Sequence, residues 1–183
     1  MNYSIKNKTG KEQSSLLALM HKFMPYASSQ LEYSSPVKVV LLSDPDNAKK
    51  PLGKTAFYNP DTFTISIFTD NRHMKDILRS LSHELIHHVQ NDRGDFDKVG
   101  PFGENYIQTN PHLRKMEAEA YLLGNGFLVR FFEEHMRNQP LQESEKKETK
   151  KPKEEKTVNT GVDYNRKRKQ VVADELMKRW IKK

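Results

Sequence analysis

A chain of 183 residues, 35% hydrophobic and 30% charged, is long enough for one domain with appendages rather than two full domains. It has no apolar run that could span a membrane, no cysteine for a disulfide or a thiolate metal site, and no apolar core of a signal peptide in residues 1–13. The net charge of +7 is concentrated: residues 164–183 carry eight Lys or Arg against Asp174 and Glu175, or +6, leaving +1 for residues 1–163. Basicity is therefore a property of the tail, and a nucleic-acid reading of the whole chain does not follow from it.

In chain order, Leu16, Leu17, Met20, Phe23 and Met24 predict an opening helix over Lys11–Tyr26. The apolar run Val37–Leu42 predicts a buried strand. Lys54–Tyr58 and Phe63–Phe68 read as the arms of a hairpin, joined by the turn Asn59-Pro60-Asp61-Thr62. Lys75–Asn91 lacks Gly and Pro, and Ile77, Leu78, Leu81, Leu85 and Val89 form a helical stripe. Asp70 or Asn71 is the expected N-cap and Gly94 the expected stop. An irregular loop is expected over Asp92–Asn110. Its Arg93-Gly94-Asp95 tripeptide is read as coincidence, and Asp92, Asp95 and Asp97 lack the spacing of a calcium loop. A second long helix is expected over Pro111–His135, with Leu113, Met116, Ala120, Phe127, Leu128 and Phe131 on its apolar face.

Within the first long helix lies His83-Glu84-Leu85-Ile86-His87, an H-E-x-x-H pattern. Residues i and i+4 project from one helix face, so both imidazoles can reach one ion. Ser80, His83, Glu84 and His87 lie off the apolar stripe, facing a cleft. Glu84 is placed to take a proton from a water activated by the metal. His88 lies nearer the stripe and is read as a packing or hydrogen-bonding residue. Two histidines hold zinc poorly, so a third protein ligand is expected. Glu117 lies on the apolar face of the second helix, where a carboxylate must be paired or metal-bound, and Glu119 lies about 200° away. Glu117 is the expected third ligand, the alternative being a buried ion pair, for instance to Arg79. Glu119 is read as solvated or as a supporting residue.

HELIH followed thirty residues after His87 by Glu117-Ala118-Glu119-Ala120 resembles the gluzincin pattern of zinc peptidases. The E-x-E-A element is similar to that of M48-type membrane peptidases, whose first glutamate binds zinc, and small "minigluzincin" domains share the arrangement. The block from Lys54 to about Phe132 also looks like peptidases predicted in T4-like phages of marine bacteria. The resemblance implies an α+β, zincin-like domain over 1–137, with a small three-stranded sheet, an N-terminal helix, the metal helix and the glutamate-bearing helix. It implies Zn2+ held by His83, His87 and Glu117, Glu84 as the base, and a protein or peptide substrate adding as a strand to an edge of the Lys54–Phe68 hairpin. Gluzincins often carry Asp four residues after the metal glutamate. Here that residue is Tyr121, which can support a ligand, polarise a substrate carbonyl or simply pack. Tyr106 and His112 are further candidates for stabilising the oxyanion.

Glu143–Lys156, within a linker over 138–165, has eleven charged residues of fourteen and no apolar one, too few to offset its ordering entropy. Val172, Leu176 and Trp180 repeat at i+4 after Arg166-Lys167-Arg168-Lys169, predicting a basic amphipathic helical tail over 166–183. Docking of that helix on a protein partner or on its own domain ranks above nucleic-acid binding, because the apolar stripe is its best-formed feature. The absence of cysteine suits the cytoplasm, and the phage resemblance implies a host cytoplasm or a virion. The competing functional expectation is a catalytically silent, metal-stabilised structural or assembly protein that acts through its tail.

Overall fold

The computed structural model describes residues 3–97 and 110–139. The chain divides into two units, 1–140 and 141–183. The second unit, with the linker from 140 onward and the tail helix expected over 166–183, lies outside the described residues, as do Tyr106 and most of the Asp92–Asn110 loop.

The first unit is α+β. Strand β1 (Tyr3–Asn7) leads into helix α1 (Ser14–Leu31), then β2 (Val37–Leu42), a short helix α2 (Pro45–Ala48), and the hairpin β3 (Ala56–Asn59) and β4 (Thr64–Phe68). Helix α3 (Met74–Asp92) comes next. The last helical stretch has three parts: α4 (Pro111–Glu119), a π-helical segment (Ala120–Leu128) and α5 (Val129–Asn138). Among the described residues no helix is long and apolar enough to cross a membrane.

Among the described residues the sheet has four strands in the order β1-β2-β4-β3, not the three expected. β1 and β2 are parallel, as are β2 and β4, and β3 runs antiparallel to β4. The added strand β1 has only Tyr3 and Ile5 turned half inward, between exposed Ser4 and Lys6. Two apolar residues in a polar terminus give a weak alternating signal, and pairing with β2 (Ile5 opposite Val39) decides the matter. The hairpin turn forms where expected: Asn59 Oδ1 accepts from the backbone N–H groups of Asp61 (3.0 Å) and Thr62 (3.1 Å). β3 is the outer arm.

One core joins the layers. Val37, Val39 and Leu41 of β2 and Ile65 and Ile67 of β4 meet Leu16, Met20, Phe23, Met24 and Ala27 of α1. Ile77, Leu78, Leu81 and Leu85 of α3 close the core, with Leu128, Val129 and Phe132. Phe23 and Phe132 pack edge to face at 5.1 Å between centroids. α1 runs beyond the expected Tyr26, past Pro25, because Ala27 continues its buried stripe. It stops at Glu32, which takes a left-handed conformation (φ 46°).

Two local expectations are corrected. α3 is capped by His73, whose Nδ1 accepts from the Lys75 N–H at 3.2 Å, and not by Asp70 or Asn71. Asp70 instead ties three segments together, accepting from Lys11 Nζ (2.6 Å), Ser43 Oγ (2.7 Å) and the Asp44 N–H (2.6 Å). Asn71 is a left-handed turn residue (φ 57°). In the last helical stretch Phe127 and Phe131 are only partly buried and stack on each other, while Val129 and Phe132 take core positions. The π-helical turns take more residues than the 3.6 on which the expected face was drawn, which rotates the following turns. Gly94 does end α3, with φ 77° and its N–H on the Asn91 carbonyl.

At the end of α3, Asp92 receives the backbone N–H groups of Ser34 (2.8 Å) and Ser35 (3.2 Å). These bonds, that of the Ser34 backbone first, hold its carboxyl at about 2, below the ordinary 3.8. A depressed carboxylate stabilises the fold above its unfolded value and loses that contribution as pH falls toward its folded value. Asp92→Asn should therefore destabilise the protein by about 1 kcal/mol near neutrality, after allowance for solvent screening. The gap to wild type should close between pH 3.8 and about 2. Urea midpoints of both proteins across that range check it, and a gap that stays constant with pH contradicts the assignment.

Candidate metal centre

α3 is buried on nearly all sides rather than along one stripe: Ser82, Glu84, Ile86, His88 and Gln90 are enclosed together with the expected apolar residues. It lies between the sheet and the α4–α5 stretch, so its two cleft-facing histidines are met from both sides. The contact with the π-helical segment is the closest. A Cβ built on Gly124 would lie 2.8 Å from His83 Cα, 2.8 Å from the Ser82 carbonyl oxygen and 2.9 Å from His83 N. Only a glycine fits there, and Ser82 Oγ donates to the Gly124 carbonyl at 2.8 Å across the same contact.

That approach brings α4 to the histidines. His83 Nε2 lies 3.3 Å from Glu117 Oε2, and His87 Nε2 lies 3.4 Å from Glu117 Oε1. The two Nε2 atoms are 3.2 Å apart. All three side chains are largely buried, at 13%, 12% and 16% exposure. They form a His/Glu group able to hold a metal ion, with ligand atoms within 4.8 Å of one another. Arg79, the alternative partner weighed for Glu117, pairs with Asp76 at 2.9 Å instead.

The fit of zinc to this group can be tested on its edges. Four ligands in a tetrahedron about 2.0–2.1 Å from the ion lie roughly 3.4 Å from one another. The two imidazole nitrogens stand 3.2 Å apart, near that spacing, and each faces a different oxygen of Glu117, at 3.3 Å for His83 and 3.4 Å for His87. Two imidazole nitrogens and a carboxylate oxygen are also the donor types zinc accepts.

The electrostatics arise from the crowding. Burial alone would raise the Glu117 carboxyl, but hydrogen bonds and charge from His83 and His87 outweigh it and hold the group well below the usual carboxylate range. Burial opposes a charge on His87, yet its contact with Glu117 leaves the ring above its ordinary value. Burial raises the Glu84 carboxyl, with the two histidines opposing, Glu117 adding, and a backbone hydrogen bond from Tyr58 on β3 lowering it. Glu84 is 8% exposed and lines the same cleft as the three ligand candidates.

The cleft holds about 240 Å³. Beyond His83, Glu84, His87 and Glu117, its walls come from Ala56, Phe57, Tyr58 and Pro60 at the β3 edge and from Phe96, Leu113 and Met116 opposite. β3 is fixed to α3 by a chain of hydrogen bonds. The His88 Nε2 proton goes to the Ser35 carbonyl (3.0 Å), Nδ1 accepts from Tyr58 Oη (3.0 Å), and Tyr58 Oη accepts from Asn91 Nδ2 (3.0 Å). His88 is thus the buried packing and hydrogen-bonding residue expected.

The remaining candidates are placed differently. Tyr121 stands exposed at 62%, its ring 4.6 Å from that of His83 and tilted by 64°. His112 is exposed and donates from Nε2 to the Asp95 carbonyl at 2.9 Å, and it is not among the residues that line the cleft. Glu119 is bonded by Arg93 and Gln90 rather than by either histidine. Gln90, Tyr58 and Gly124 contact the residues of this cleft, and the sequence pattern does not single them out. Gly124 lies in the run Gly124-Asn125-Gly126, where glycine in a helical pattern is the available signal.

Comparison of the chain with known proteins finds no matching family model, no matching curated protein and no matching solved structure.

Gly124→Ala should destabilise the domain by roughly 1–3 kcal/mol, because the added methyl meets backbone that cannot turn aside. Gly126→Ala, whose Cβ would meet only the Tyr121 carbonyl at 3.7 Å, should be neutral or slightly stabilising. Chemical denaturation of the two variants checks the pair, and equal midpoints would contradict the close packing of α3 on the π-helical segment.

Proposed function

We propose that this domain is a zinc-dependent peptidase of the gluzincin type, hydrolysing peptide bonds in a protein or peptide substrate. The observation that carries the reading is the convergence of His83 Nε2, His87 Nε2 and the Glu117 carboxylate, donor types zinc accepts, with ligand atoms within 4.8 Å of one another and Glu84 in the same cleft. His83 and His87 would hold the ion through Nε2, and Glu117 through a carboxylate oxygen. Zinc supplies a Lewis acid there, polarising a carbonyl and making water acidic near neutral pH.

The chain's own residues do the rest. Glu84, one residue beyond a ligand and buried in the cleft wall, takes a proton from the attacking water and delivers it to the departing amine. β3, at the sheet edge and lining the cleft, offers backbone groups along which an extended peptide can lie as a further strand. The apolar side chains of Phe96, Leu113 and Met116 enclose a substrate side chain and exclude water from the reacting bond. Tyr121 is exposed with its ring against that of His83, where in this reading the ring braces the ligand. His112 takes no step in this reading, since its ring is engaged by Asp95.

Glu84→Gln should retain metal and lose at least about 100-fold in kcat on a peptide substrate. Undiminished cleavage by that variant would sink the assignment of the base. Glu117→Ala should lose bound zinc in elemental analysis, whereas Glu119→Ala should keep it with weakened affinity. The opposite pattern would transfer the ligand role to Glu119.

A further inference from the structure

The two imidazoles that face Glu117 are not supported alike. His87 Nδ1 lies 2.8 Å from Gln90 Oε1. His83 Nδ1 is buried with no hydrogen-bond partner among the described residues. Gln90 is fully buried, nearly one turn beyond His87 on α3, and its surroundings fix which way its amide points. The amide nitrogen lies 2.9 Å from the Met116 carbonyl oxygen and 2.9 Å from Glu119 Oε2. A carbonyl and an ionised carboxylate accept hydrogen bonds and do not donate them, so the amide NH2 must occupy that side. Arg93 keeps Glu119 ionised with two bonds, Nη1 to Oε1 at 3.0 Å and Nη2 to Oε2 at 2.9 Å. The amide oxygen is thereby left facing His87. An amide oxygen cannot donate either, so a neutral His87 ring must carry its proton on Nδ1. Its Nε2 lone pair then points at His83 Nε2 and Glu117.

We propose that Gln90 is the positioning residue of this metal centre, holding His87 in the Nδ1-protonated tautomer through a relay from Arg93, Glu119 and the Met116 carbonyl. The purpose of the relay rests on the metal-binding reading above, but its geometry does not. The position four residues after Glu117 is Tyr121, which packs on His83 and makes no bond to His87. The support for His87 comes from its own helix instead, one turn on, and is anchored on α4. Among the described residues His83 Nδ1 has no comparable partner, so the support seen here is on the His87 arm. Loss of the outer support of a metal ligand typically weakens metal affinity 10–100-fold.

The test uses the full-length chain labelled with 15N-histidine, stripped of metal and held at about pH 9, where imidazole is neutral. Two-bond 1H–15N correlation reports the tautomer, and competition with a chromophoric chelator reports zinc affinity on the same samples. The wild type should show one ring, absent from His87→Asn, with a protonated Nδ1. Gln90→Met should move that ring toward the Nε2-protonated form and weaken zinc roughly 10–100-fold. Glu119→Gln, at a partly exposed position, should change both in the same direction by less. An Nε2-protonated His87 in the wild type overturns the proposal even if zinc binds. A folded Gln90→Met protein with unchanged tautomer and affinity overturns it too. Should Gln90→Met fail to fold, the wild-type tautomer and Glu119→Gln decide the question. A wild type with Nδ1-protonated His87 and no zinc affinity supports the tautomer assignment and overturns the metal reading instead.

Discussion

At Gly124 two helices touch backbone to backbone, and the candidate site depends on that contact. Without a side chain at residue 124, the π-helical segment lies directly on Ser82 and His83, and the Ser82 hydroxyl bonds the Gly124 carbonyl. Glu117 sits about two turns earlier on the same stretch and is thereby carried to within 3.3 and 3.4 Å of the two imidazoles. The π-helical turns sit in the same contact. They begin at Ala120, directly after Glu119, and rotate the next part of the helix so that Leu128, Val129 and Phe132 rejoin the core. A π segment at such a place fits its usual association with functional sites. The same stretch of chain thus presents a carboxylate at one end and buries aromatic bulk at the other.

Around that contact, polar groups are arranged in directed chains. One runs from Arg93 through Glu119 and Gln90 to His87. The other runs from Asn91 through Tyr58 and His88 to the Ser35 carbonyl. They leave α3 in different directions, the first fastening it to α4 and the second to β3. Buried polar groups are costly unless satisfied, and in both chains donors and acceptors match link by link. The pair of networks holds the two cleft walls at a fixed separation across His83, Glu84 and His87. A catalytic metal site of the kind proposed would need its ligands held in place by such supporting contacts.

The parts of this arrangement legible in the sequence are those written in short-range pattern. The HELIH spacing, the apolar stripe of α3, the Asn59–Thr62 turn and the Gly94 stop each depend on residues a few positions apart. Glu117 is preferred over Glu119 because a carboxylate on an apolar face needs a partner, and Glu117 does face the two histidines while Glu119 faces Arg93 and Gln90. The features that escape depend on contacts distant in the chain. β1 is a strand only because β2 pairs with it. His73 displaces Asp70 as the cap because Asp70 is engaged by Lys11, Ser43 and Asp44. Gln90 and Gly124 matter through residues 26 to 42 positions away. A face drawn at 3.6 residues per turn fails at Phe127 and Phe131 because nothing local announces a π-helical turn.

The central claim is that His83, His87 and Glu117 together hold one zinc ion in a tetrahedral field with a position left for substrate. Cobalt substitution of the full-length protein tests it most directly, since cobalt reports its own coordination in the visible spectrum. The account predicts about one cobalt per chain, with the intense absorption of a four-coordinate site, displaced by zinc and absent from Glu117→Ala. Failure to bind cobalt, or the weak bands of a six-coordinate ion unaffected by Glu117→Ala, would contradict it.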